Sequence, residues 1–201
     1  MSKPVIVCDI DDVVFPFIDG MTDHYNTRYG GSLTADDFIS FDFTDVWGGT
    51  QEAANNIVEE FLHTDTLHLL PLEGVIEAFE RLHDDFDIVM VTARNGIFQE
   101  NTTTWLRTHL PDLFSHAIFA GNYHDGRGYR TKGEICKELG AVLIIDDHPA
   151  NVASAVENGT GGILFGTKQW TLEGVKQSPE VKHCVNWSQV MEYIYGEWQS
   201  K

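Results

Sequence analysis

The stretch Pro4-Val5-Ile6-Val7-Cys8-Asp9-Ile10-Asp11-Asp12-Val13-Val14 decides the fold. A short apolar, β-branched run climbs to three carboxylates within four residues. It is too short for an ordinary helix and apolar throughout, so it reads as a buried strand of a parallel sheet. In open α/β sheets, ligands bind outside the C-terminal ends of the strands, and the acids stand at that end. Two carboxylates 4 Å apart repel by roughly 4 kcal/mol at an effective dielectric of 20. Keeping them ionised together calls for a cation, and oxygen-only ligands suit a hard one such as Mg²⁺. Taken alone, the stretch is equally an acidic turn after a strand.

Working outward, the same pattern recurs. Asp87-Ile88-Val89-Met90-Val91-Thr92 is a second apolar strand, ending in a hydroxyl and followed by Ala93-Arg94-Asn95-Gly96. His116 to Ala120 is a third short strand. Ala141-Val142-Leu143-Ile144-Ile145 is a fourth, ending at Asp146-Asp147-His148-Pro149. Ile163 to Phe165 is a fifth, and Val181 to Val185 forms a sixth or an extended edge. Helical periodicity separates them, from Glu73 to His83, Ile97 to Leu110, Lys132 to Leu139, Pro149 to Asn158 and Trp187 to Trp198. Thr131-Lys132-Gly133-Glu134 has capping-box spacing, which sets Lys132 in a first helical turn, where its charge opposes the helix dipole. Such alternation predicts an α/β fold with a doubly wound, mainly parallel sheet.

Residues 16–68 break the alternation. They carry helical patterns from Phe17 to Tyr29 and from Thr50 to Leu62, a short helix start at Thr34, and an irregular aromatic stretch from Phe38 to Gly49. No strong strand interrupts them. The expected organisation is a core of residues 1–15 and 69–201 with a small inserted α-helical cap at 16–68.

Composition narrows the partners. Thirteen basic against 31 acidic residues give a net charge of −18 over 201 residues. That disfavours long nucleic acids, which need a basic stripe, but not a small phosphorylated substrate held by a local cation. No apolar run approaches the ~20 residues of a membrane span. The N-terminus has no signal-peptide anatomy, and Cys8, Cys136 and Cys184 are odd in number and widely spaced. A cytoplasmic location is the resulting expectation. The nine histidines are scattered without metal-ligand spacing; His148 alone borders the late acids and is placed to make a hydrogen bond behind a metal.

Asp9 and Asp11, Thr92, Lys132 and the pair Asp146-Asp147 thus gather at strand ends and one helix start. In order and type this set resembles the haloacid dehalogenase superfamily of phosphohydrolases, through Val5–Val14 (hhhhDxDxhh), Ile88–Thr92 (hhhhT), Lys132 and Leu143–Asp147 (hhhDD). More narrowly the chain resembles the 5′(3′)-deoxyribonucleotidase group. That likeness rests on Phe17, Leu69-Leu70-Pro71-Leu72-Glu73-Gly74, Leu143–Pro149 and Asn186-Trp187-Ser188. Two departures stand out: Asp12 where glycine is usual, and Thr92-Ala93-Arg94 in place of Thr-Ser-Pro.

The resemblance implies a Rossmann-like core and a Mg²⁺-dependent phosphomonoesterase acting on a (deoxy)nucleoside monophosphate through an aspartyl-phosphate. Asp9 is the implied nucleophile and Asp11 the acid–base. Asp9, the Asp11 carbonyl and Asp147 are the implied metal ligands, with Asp146 in the outer shell. Thr92 and Lys132 are implied to hold phosphoryl oxygens, and Arg94 is a further cation by position. Phe17, Phe43 and Trp47 are candidates to stack on a base, or to form the cap's own core. Arg127, Tyr129 and Arg130 lie just before Lys132 and are candidates to reach the site. A sugar phosphate or other small phosphate ester is the alternative substrate, and a non-catalytic nucleotide-binding module the alternative class. The oligomeric state stays open, a homodimer included.

Overall fold

The computed structural model describes residues 2–64, 66–121 and 130–198; Arg127 and Tyr129 lie outside them. Six strands form one sheet in the order β3-β2-β1-β4-β5-β6. They are β1 (Val5–Cys8), β2 (Asp87–Thr92), β3 (His116–Phe119), β4 (Ala141–Asp146), β5 (Gly161–Phe165) and β6 (Lys182–Cys184). Every pairing is parallel, so the sixth segment is a true strand and the sheet parallel throughout.

Alternation along the central strands explains why they are apolar on every residue. Ile6, Cys8, Ile88, Met90, Leu143 and Ile145 pack into one cluster with side chains of α4 (Val75–Asp85), α5 (Gln99–His109) and α9 (Trp187–Glu192). Val7, Val89, Val91 and Ile144 face the other way, toward α6 (Lys132–Leu139) and α7 (Pro149–Glu157). Successive residues of a strand point to opposite faces, so a sheet covered on both sides has no polar position to spare.

Strand order reverses between β1 and β4, which creates the crevice where such sheets bind ligands. Register then sets the chemistry. Cys8 pairs with Met90 on one side and Ile145 on the other. Asp9, the next residue, donates its backbone N–H to Ile145 O at 2.9 Å. Asp9 therefore comes level with Asp146, and Thr92 ends the adjacent strand.

Between β1 and α4 the chain is helical, with no strand among the described residues: α1 (Phe17–Tyr29), a 3₁₀ turn at Ala35–Asp37, α2 (Thr44–Trp47) and α3 (Gln51–His63). The short helix start at Thr34 is that 3₁₀ turn, closed by a Thr34–Asp37 capping box. The stretch expected to be irregular contains the one-turn α2. This segment has no separate core. Phe17, Ile18, Met21, Phe38, Phe61 and Leu62 belong to the same apolar cluster as one face of the sheet.

Local signals fixed several boundaries. Thr50 caps α3 by accepting the Ala53 N–H, and Gly30, left-handed at φ 72°, ends α1. The helix expected from Ile97 starts as a 3₁₀ turn at Gly96–Phe98, capped by Asn95, and becomes α-helical only at Gln99. The last helix is α-helical to Glu192 and π-helical from Tyr193 to Trp198. A further helix, not anticipated from the sequence, is α8 (Gln169–Gln177). Gly174 sits within it because a Cβ there would meet Pro149 Cγ at 2.3 Å. A helix-weakening glycine in nine residues hides the pattern. No helix among the described residues is long and apolar enough to cross a membrane.

Candidate active site

The turn after β1 aims its acids. Ile10 O accepts the N–H groups of Val14 at 3.0 Å and Phe15 at 2.8 Å, and Asp12 N–H donates to Phe15 O at 2.8 Å. This tight loop puts Asp12 at φ 53°, a region that aspartate enters more readily than most residues. Its Oδ1 accepts the Ile18 N–H at 3.2 Å, in the first turn of α1. Asp12 thereby ties the motif to α1.

Lys132 reaches the two neighbouring strand ends at once. Its Nζ lies 2.6 Å from Asp9 Oδ1 and 2.7 Å from Asp146 Oδ2, and the side chain is 3 % exposed. The expected capping box is present: Thr131 Oγ1 accepts the Glu134 N–H, and Glu134 Oε2 accepts the Thr131 N–H. It starts α6 where Lys132 can turn inward, and the two carboxylates offset the unfavourable helix dipole. Gly133 permits the approach, since a Cβ there would meet Ser154 O at 2.3 Å.

The two late acids differ in their partners. Asp146 is fully buried. It accepts from Lys132, from the His148 N–H at 2.9 Å and from Asn151 Nδ2 at 3.0 Å. Asp147 accepts the Trp170 indole N–H through Oδ2 at 2.8 Å, and its carbonyl accepts the Thr171 hydroxyl. Oxygens of Asp9, Asp146 and Asp147 lie within 4.8 Å of one another.

Three buried carboxylates against one ammonium leave an excess of negative charge. Burial pushes Asp9 up to about 7, with Asp146 and Asp11 adding to the rise and Lys132 opposing it. Burial also pushes Asp147 well above the usual carboxylate range, reinforced by Asp146, Asp9 and Asp12. Burial alone would lower Lys132, yet Asp146 and Asp9 outweigh it and hold the ammonium charged. An all-oxygen cluster short of positive charge fits a hard divalent cation.

Asp11 pairs with Arg94. Nε of Arg94 lies 3.0 Å from Asp11 Oδ2 and Nη2 lies 2.5 Å from Oδ1. Nη1 donates to Thr102 Oγ1 at 2.9 Å. Arg94, a phosphate-binding candidate by position, has its guanidinium on Asp11 and Thr102. Thr92 is fully buried, and its oxygen accepts the Arg94 N–H at 3.0 Å.

A cavity of about 530 Å³ opens over Asp9, Asp11, Arg94 and Asp147. Its walls include Phe17, Phe41, Phe43, Phe98 and Trp170, with Gln51 and Asn55 of α3. Phe17 and Phe43 stack at 6.2 Å. Trp47 does not line this cavity: it stacks on Tyr25 at 5.4 Å and packs edge-on to Phe38, inside the helical segment. His148 borders the acids as expected, but it is its backbone N–H that bonds Asp146. Its ring caps α7 through Ala150 N–H and stacks under Phe41 at 4.0 Å. Arg130 pairs with Glu138 and lines a smaller cavity behind Lys132.

Sequence reasoning missed Phe41, Thr102, Asn151, Trp170 and Thr171. Phe41 lay in an aromatic stretch without periodicity, and Trp170 and Thr171 sit on the unrecognised α8. Asn151 was readable in principle, one helical turn after Asp146-Asp147.

An all-parallel sheet with acids meeting at the ends of β1 and β4, bridged by a lysine, places the chain among phosphatase-type hydrolases of the haloacid dehalogenase superfamily. A family model described as "5' nucleotidase, deoxy (Pyrimidine), cytosolic type C protein" matches residues 3–195, and the chain belongs to that family. Among solved structures it is similar to a haloacid dehalogenase-like hydrolase from Streptococcus pneumoniae, with TM-score 0.70, 12% identity, and 96% of this chain and 98% of that one covered. A haloacid dehalogenase family hydrolase from Deinococcus radiodurans, crystallised with phosphate and sodium, gives TM-score 0.65 and 12% identity, covering 96% and 95%. These likenesses are of fold. No curated protein matches the chain.

Proposed function

We infer that the protein is a Mg²⁺-dependent phosphomonoesterase that hydrolyses a (deoxy)nucleoside monophosphate through an aspartyl-phosphate. The observation that carries this reading is the buried cluster of Asp9, Asp146, Asp147 and Lys132, of which Asp9 and Asp147 line an aromatic-walled cavity. Such a cavity is of the size that holds small ligands, about 300–1,000 Å³.

Asp9, Asp147 and the Asp11 carbonyl would hold the cation. Asp146, with Lys132, Asn151 and His148 N–H already on it, would orient the cluster from behind. When bound, the cation offsets the carboxylate charge and that of the phosphoryl oxygens. Asp9 attacks phosphorus as the ester oxygen leaves. Asp11 protonates that oxygen and then takes a proton from the water that attacks the aspartyl-phosphate. Lys132 and Thr92 hold phosphoryl oxygens; Thr92, as acceptor of the Arg94 N–H, keeps its own O–H to donate. Positioning and charge stabilisation supply most of the help in phosphoryl transfer.

Residues 16–68 serve as the cap that selects the substrate over the core of 1–15 and 69–201. Phe17 and Phe43 offer ring faces to a base, a contact worth about 1–3 kcal/mol. The amides of Gln51 and Asn55, bonded to each other at 2.9 Å, present donors and acceptors to its edge. The test is phosphate release from a panel of nucleoside monophosphates and sugar phosphates with Mg²⁺. Nucleotides should be preferred and Asp9→Asn should abolish turnover. Preference for sugar phosphates would overturn the substrate assignment, and turnover unaffected by Asp9→Asn the mechanism.

A further inference from the structure

We propose that Arg94 is a positioning residue: it fixes the carboxylate of Asp11 toward the reacting phosphoryl group and is not a phosphate-binding cation. The inference rests on the phosphatase reading above. Three partners hold the side chain and a fourth its backbone. Nε and Nη2 grip the two oxygens of Asp11. Nη1 is anchored on Thr102 of α5 at 2.9 Å. The guanidinium lies over the Phe15 ring at 4.5 Å, and the Arg94 N–H is tied to Thr92. Arg94 is only 8 % exposed.

A planar fork can grip a carboxylate with two nitrogens and still present a third elsewhere, which an ammonium cannot do. Asp11 otherwise stands on the cavity wall on a tight turn, its side chain 27% exposed. Misplacing a reacting group by about 1 Å can cost ~10²-fold in rate. The chain thus supplies, from the loop after β2 and from α5, a frame for its acid–base group.

The two roles give different kinetics. In the first half-reaction Asp9 Oδ bonds to phosphorus, the P–O ester bond breaks, and the Asp11 proton goes to the leaving alkoxide. In the second, Asp11 takes a proton from water, the water oxygen bonds to phosphorus, and the Asp9 O–P bond breaks, releasing phosphate. A 4-nitrophenolate leaving group needs no proton, so a loose Asp11 spares the first half with that ester and slows the second. Loss of a phosphate-binding cation would slow both halves and weaken binding.

The experiment compares wild type, Arg94→Met, Arg94→Lys, Thr102→Val and Asp11→Asn on a nucleoside monophosphate and on 4-nitrophenyl phosphate with Mg²⁺. Arg94→Met should lose ~10²-fold in kcat on the nucleotide. With the aryl ester it should show a burst of about one 4-nitrophenolate per enzyme, as Asp11→Asn should, with KM changed less than about threefold. Arg94→Lys should recover only part of the loss. Thr102→Val, nearly isosteric, should show the same defect in milder form and keeps the test open if Arg94→Met fails to fold. A KM raised more than about tenfold without a burst, in Arg94→Met or in Thr102→Val, would overturn the proposal in favour of phosphate binding. Wild type inactive on every ester would instead remove the phosphatase reading on which it rests.

Discussion

Trp170 donates its indole N–H to Oδ2 of Asp147 at 2.8 Å, and the two residues come from elements 23 positions apart. The bond fixes one carboxylate of the cluster formed by Asp9, Asp146 and Asp147, and in the proposed mechanism that carboxylate holds the metal. It also lowers the Asp147 pKa, against burial and three neighbouring acids. Trp170→Phe keeps most of the ring that packs on Phe41 and removes the donor. Groups that orient metal ligands typically account for about 10–100-fold in metal affinity. The expected outcome is a rise of that size in the Mg²⁺ concentration needed for half-maximal activity, with kcat at saturating Mg²⁺ changed far less. A magnesium titration of phosphate release checks it.

Asp12 yields a pH prediction. Burial raises its pKa to about 7, against weaker opposing pulls from Lys168 and the Ile18 N–H. An unfolded aspartate titrates near 3.9. Between these values the folded state binds more protons than the unfolded one, so this group's contribution to stability falls as pH rises from about 4 to about 7. The loss is complete above 7. Asp12→Asn retains an acceptor for Ile18 and tolerates the φ of 53°, but it does not titrate. In chelator-treated protein, the Tm difference between Asp12→Asn and wild type should shift in favour of the variant from pH 5 to pH 8. A shift in the opposite direction would show that the buried carboxylate stabilises the turn.

The two kinds of information, chain pattern and three-dimensional contact, divided cleanly here. The three central strands, β1, β2 and β4, were legible because each is a short apolar run closing on a polar residue, and the acids were legible because they end β1 and β4. Lys132 was legible through its capping box. Partners were not. The Arg94–Asp11 pair joins residues 83 positions apart, and nothing in the sequence around Arg94 signals that contact. Trp170 was lost with α8, where the glycine needed for close packing against Pro149 weakens the helical signal. Trp47 and Phe43 lie four residues apart with the same aromatic character, yet one packs between Tyr25 and Phe38 and the other lines the cavity. Only the path of the loop around α2 separates them.

Gly133 should be intolerant of any side chain. Its hypothetical Cβ falls 2.3 Å from Ser154 O and 2.5 Å from Ser154 C, both backbone atoms of α7 that cannot swing aside. Gly133→Val must push α6 away from α7. Overpacking of this kind costs typically 1–3 kcal/mol. Lys132, one residue earlier, would then lose its reach to Asp9 and Asp146. The expected result is a lower Tm together with a kcat reduced well beyond what partial unfolding explains. Thermal unfolding and phosphate release, measured on the same folded fraction, separate the two effects.

Phe17 and Trp47 test the split between cavity wall and cap interior. Phe17 is 8 % exposed and lines the cavity with Phe43. Stacking of a base on such a ring is worth about 1–3 kcal/mol. Phe17→Leu keeps apolar bulk and loses the flat face, so KM for the preferred nucleoside monophosphate should rise ~5- to 100-fold. For 4-nitrophenyl phosphate, which has no base to place, the rise should be several-fold smaller. Trp47 contacts Tyr25, Phe38 and Phe43, and its Nε1 is buried without a hydrogen-bond partner among the described residues. Leaving a donor unpaired costs about 1–3 kcal/mol. Trp47→Phe removes that donor while giving up ring area, so the two effects oppose. Stability should change by no more than about 1 kcal/mol, and KM for the nucleotide should stay within twofold. A large KM effect from Trp47→Phe would mean that the base enters the cap more deeply than the cavity over Asp9 extends.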